Sequence, residues 1–78
     1  MTKLDIEGIV RLALKERKDP HLEVMKEMNK RNLERDPSYD TWAPKDRSLI
    51  KMFVIGFLYS RSLEIDRENW TLKEVVDA

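Results

Sequence analysis

Cysteine is absent and histidine occurs once, at His21, so neither a disulfide staple nor a structural zinc site can hold this chain together. Cohesion must come from side-chain packing or from a partner, because a chain of 78 residues buries only roughly 60–65% of its surface on folding. One domain with a modest core is expected, and a homo-oligomer is one route to further burial. Glycine and proline are scarce as well, at two and three residues, which excludes a low-complexity or disordered tail. Charge of one sign is also missing, since 15 basic residues face 15 acidic ones. That balance argues against a basic nucleic-acid coat and against an acidic DNA mimic, and leaves charge-driven recognition to local patches. No long hydrophobic run occurs: the longest, Met52 to Tyr59, falls far short of the ~20 residues a membrane span needs. Asp5 and Glu7 interrupt any signal-peptide pattern at the start. A cytoplasmic protein without membrane contact is the expectation.

What is there reads as helix. Ile6, Ile9, Val10, Ala13 and Leu14 fall on one side of a helix over about 4–18, with Glu7, Arg11, Lys15 and Lys18 on another. Thr2, three residues before Asp5, is placed to cap it, and Gly8 is its weak point. Asp19-Pro20 then ends that segment and opens a second helix over about 20–35, Asp as N-cap and Pro at the first helical position. Its apolar stripe is thin: Leu22, Met25, Met28 or Asn29, and Leu33. Residues 36–44 read as an ordered loop pinned by Tyr39 and Trp42. The most apolar element follows over about 45–65, with Leu49, Ile50, Phe53, Val54, Phe57 and Leu58 on one broad side and Met52, Ile55 and Tyr59 on the other. A helix apolar all round is expected to have its middle surrounded by protein. Thr71 to Glu74 fits a capping box, with Trp70 and Val75 spaced for a hydrophobic staple, and predicts a short helix over 72–77. Six residues hold a helix only if Trp70, Val75 and Val76 dock on the rest. The expected fold is therefore all-α: a small bundle of three main helices plus a short C-terminal one.

Within the third helix, Arg47, Lys51, Ile55 and Tyr59 recur every four residues and form a slanting stripe, with Gly56 beside it. This register resembles motif B, the fingers helix, of family A (DNA polymerase I-type) DNA polymerases: Arg, three residues, Lys, three residues, Phe-Gly, two residues, Tyr-Gly. Arg47, Lys51, Gly56 and Tyr59 match in place, and Phe53 to Ser62 is similar to the variant found in viral members. Asp19-Pro20-His21 resembles the Asp-x-His that opens the preceding fingers segment, so the likeness extends over residues 19–78. It implies that Arg47 and Lys51 grip phosphates of a nucleotide by charge-assisted hydrogen bonds and that Tyr59 stacks near a template base. Ile55 stands where the family has Phe, and Ser60 where it has Gly. No segment resembles the palm motifs whose aspartates hold two metal ions, so the chain by itself is not expected to be an enzyme. No cofactor, metal or catalytic residue is expected either.

Read from their own environment, Ile55 and Tyr59 are packing residues, and His21 is a solvent-facing histidine at a helix start. Lys26, Lys30, Arg31 and Arg35 form a basic ridge on the second helix, interspersed with Glu23, Glu27 and Glu34. Arg31 and Arg35, with Tyr39 and Trp42 of the loop, are the candidate partner contacts. The leading expectation is a small non-enzymatic helical binding module of phage type that docks on a protein partner such as the replication machinery. The alternatives are a fingers fragment of a split polymerase and a small nucleic-acid-binding protein.

Overall fold

Among the described residues, four helices build the fold. The computed structural model describes residues 4–60 and 72–78. They comprise α1 (Ile6–Lys15), α2 (Pro20–Arg35), α3 (Arg47–Tyr59) and the short α4 (Leu72–Asp77), and a single 3-10 turn (Pro44–Asp46) leads into α3. No strand occurs among the described residues. Packing follows chain order, α1 on α2, α2 on α3 and α3 on α4, so α2 and α3 form the middle of the bundle.

Each helix contributes a face to one core. Ile6 and Val10 come from α1, Val24 and Met25 from α2, Ile50, Val54 and Leu58 from α3, and Val75 from α4. The four-residue spacing within α1 and α3 is what one face of a helix demands. The thin stripe expected on α2 is corrected here: Val24 is fully buried, whereas Leu33 lies exposed. Residues 20, 21, 24 and 25 turn inward instead, at the start of the helix.

The helix ends show why the elements stop where they do. The first helix begins at Ile6, two residues later than the periodicity predicts, because Asp5 is the N-cap and its Oδ1 accepts the Gly8 amide at 3.0 Å. Thr2 lies outside the described residues. Gly8 has a positive reason to be glycine: a Cβ there would run into the carboxylate of Asp5 and displace the cap. At the other end Arg17 adopts φ 59°, while the Arg17 amide donates to Leu14 O at 3.2 Å and the Lys18 amide to Ala13 O at 2.8 Å. That pair of bonds is a Schellman closure, normally built on glycine because a side chain in the left-handed region costs about 1–2 kcal/mol. Arg17→Gly is therefore expected to raise stability by about 1 kcal/mol, after the extra entropy glycine gives the unfolded chain. The urea midpoint at constant slope measures it.

Between α2 and α3 the loop is fixed by amide pairing rather than by its aromatics alone. Asn29 Nδ2 donates to Trp42 O at 2.9 Å, and the Trp42 amide donates to Asn29 Oδ1 at the same distance. One side chain thus satisfies both backbone groups of Trp42 and holds its indole against the core. Asp46 accepts the Ala43 amide at 2.9 Å, which tightens the turn into α3. The third helix ends at Tyr59 with Ser60 as its C-cap, short of the expected end near residue 65. Trp70 and Thr71 of the staple and capping box lie outside the described residues.

Candidate functional site

Two surfaces come out of this arrangement, on opposite sides of α3. The first is a polar cluster where the start of α2, the start of α3 and the end of α4 meet. Asp19 is its pivot. Its Oδ1 accepts the His21 and Leu22 amides at 2.9 and 3.3 Å, capping α2, while its Oδ2 takes the Arg47 Nε proton at 2.6 Å. Burial alone would raise the Asp19 pKa. The Arg47 hydrogen bond and the two amides outweigh that and hold the carboxyl below its usual 3.8.

Arg47 reaches further, donating from Nη2 to Ala78 O at 2.9 Å, and Lys51 Nζ donates to the same oxygen at 3.3 Å. His21 completes the cluster. Its imidazole is fully buried, and Nε2 lies 3.0 Å from Val75 O. Because a carbonyl only accepts, Nε2 carries the proton, and Nδ1 is left buried without a partner. Burial is the main reason the His21 pKa falls below 6.5, with the nearby charges of Arg47 and Lys51 adding to it against Val75 O and Asp19. His21, Arg47 and Lys51 thus donate to backbone oxygens in the last turn of α4 and just past it, where a helix lacks intrahelical donors; Val75 O shares its acceptor capacity with the Ala78 amide at 3.3 Å. The solvent-facing reading of His21 is overturned. Position 21 lies three, four and seven residues before Val24, Met25 and Met28, on the buried face of α2, and that spacing was the available signal.

The register of the third helix does not converge on one point. Each four-residue step turns about 40°, so Arg47 and Lys51 face the end of α4 while Tyr59 has rotated roughly 120° away from Arg47. Tyr59 is 66% exposed, and Ile55 between them is half-buried.

The second surface is the outer face of α3. Leu49, Met52, Phe53 and Tyr59 are 54, 70, 48 and 66% exposed, and Gly56 sits among them with no atom within 4 Å of where a Cβ would stand. The expectation that protein surrounds the middle of this helix is corrected: Ile50, Val54 and Leu58 are covered, and the opposite side is open. Lys51, the one charged residue from Leu49 to Ser60, points to the α4 end, so the open stripe carries no charge. The largest contiguous apolar patch on a protein surface is often a contact site.

The remaining candidates lie elsewhere. Arg31 and Arg35 border an open cleft with Leu4, Glu27, Met28 and Glu34, and Arg31 is tied to Glu27 at 3.0 Å. Both signs of charge line it. Trp42 is half-buried by its packing on the core, and Tyr39 is half-buried in the turn after α2. The structure therefore does not bring Arg31, Arg35, Tyr39 and Trp42 into one cluster with the α3 stripe. Among the described residues no group of His, Asp and Glu is disposed to hold a metal ion, and no helix is long and apolar enough to cross a membrane. Comparison with protein-family models, with curated proteins and with solved structures finds no match to this chain.

Proposed function

We propose that this chain is a non-enzymatic helical binding module that docks on a protein through the outer face of α3. The observation that carries it is the open stripe of Leu49, Met52, Phe53 and Tyr59, directly opposite the core face of the same helix. An apolar, uncharged helix face suits another apolar protein surface and offers nothing to a phosphate backbone. The cations implicated by the polymerase resemblance hold the end of α4 instead.

Met52→Glu/Tyr59→Glu tests the reading, because both residues are exposed and glutamate is a good helix former. Captures from a cell lysate with the wild-type and doubly substituted chains are compared by quantitative mass spectrometry. Specific proteins retained by the wild type and lost at least tenfold from the variant, with unchanged helical circular dichroism, are expected. Identical capture by both chains, together with unchanged self-association, overturns the docking role of this face.

A further inference from the structure

We infer that the occupant of the outer face of α3 is a second copy of this chain, the two α3 helices pairing antiparallel about a two-fold axis. The inference rests on the docking role proposed above and adds the identity of the partner. Three observations favour a second copy.

The first is area. With about 200 Å² for a fully exposed large side chain, the exposures of Leu49, Met52, Phe53 and Tyr59 leave roughly 450–500 Å² open per chain, hence about 1,000 Å² for a pair when all of it is covered, the size of a weak, reversible interface. The second is charge. The stripe has none, and the formal net charge is zero, so two copies meet without repulsion either locally or overall. A partner selected by charge would find no complementary group on this face. The third is shape. A two-fold interface requires each residue that contacts a second to be contacted by it in return. With the axis midway along the stripe, between positions 54 and 55, Phe53 of each copy faces Gly56 of the other. The bare backbone at Gly56, with nothing within 4 Å of a Cβ position, is a depression for that ring. The two contacts are reciprocal, as the symmetry demands.

Sedimentation of the purified chain across the micromolar range, with no other protein present, tests this. A species of twice the 9.3 kDa chain mass is expected, and Met52→Glu/Tyr59→Glu is expected to sediment as a monomer with unchanged helicity. Gly56→Leu separates the pairing from the fold. Leucine has open space in the monomer and the better helix propensity, so helicity holds or rises while the dimer dissociation constant weakens at least tenfold. A wild-type chain that stays at 9.3 kDa throughout overturns the second copy as occupant. If the double variant nonetheless loses proteins from the lysate, the docking role stands with a different partner; if it loses none, both readings fall. A Gly56→Leu chain that dimerises as tightly as the wild type overturns the Phe53–Gly56 pairing.

Discussion

His21→Ala is expected to lower the unfolding free energy by about 2–4 kcal/mol, a large part of what a chain of this size possesses. Two losses combine. Truncation leaves a void at a fully buried site beside Val24 and Val75, and it removes the donor that Val75 O meets at 3.0 Å. The histidine also makes stability depend on pH with a definite sign. Its native pKa lies below 6.5, so between that value and 6.5 the unfolded chain binds more protons than the folded one. The contribution of the neutral ring is therefore complete above pH 6.5 and is lost as pH falls from there through the lowered native value. Protonation would place a charge in a buried site and a donor on Nδ1 with no acceptor to meet it. His21→Gln retains a donor without an ionisation in this range, so its stability is expected to stay flat where that of the wild type declines. Urea unfolding followed at a series of pH values from 7.5 to about 4.5 compares the two. A wild-type curve as flat as that of the glutamine variant would contradict the buried neutral ring.

Asp19→Ala is the second large effect, at about 2 kcal/mol. Loss of an N-cap costs about 1 kcal/mol. The ion pair with Arg47 adds about 1 more, discounted because both side chains keep nearly a third of their surface in water, 29% for Asp19 and 32% for Arg47. Asp19→Asn divides the two contributions, since asparagine caps as well as aspartate but cannot pair as a charge, and about half the loss is expected. The carboxyl is held below 3.8, so its charge contributes above that value and ceases to contribute as pH falls through its native pKa. The gap between the wild type and the asparagine variant should accordingly close in acid. A gap that shows no narrowing as pH falls below 3.8 would show that the asparagine disturbs the cap itself.

The sequence made the helices legible because their signals are local. Asp19-Pro20 opens α2, apolar spacing marks α1, and a short helix begins at Leu72. The burial of a helix face is a different matter, because it depends on what lies opposite. Ile50, Val54 and Leu58 cannot be told from Leu49 and Phe53 by hydropathy, yet the first set is covered and the second is open. The same holds for His21, whose polar ring reads as surface until α4 is seen to bring a carbonyl to it. Arg47 and Lys51 were recognisable as a pair four residues apart, but their acceptor lies 31 and 27 residues away, just past the end of another helix. Asp19 was legible as a cap through one of its oxygens and not as an ion-pair partner through the other. Long-range polar contacts of this kind leave no periodicity behind.

The contact between His21 and Val75 O joins residues 54 apart in sequence, and the helix it holds is only six residues long. Such a helix has no independent existence in water, since a single turn costs more to nucleate than its few hydrogen bonds return. Its order is on loan from α2 and α3, so forming it and docking it are one event. Linkage makes the loan reciprocal: anything that draws the end of the chain away from His21, Arg47 and Lys51 also weakens the start of α2, and a ligand that rigidifies the start of α2 tightens the end of the chain. Amide hydrogen exchange should therefore report α4 and the first turn of α2 opening together as one cooperative unit, although His21 and Val75 are 54 residues apart in sequence.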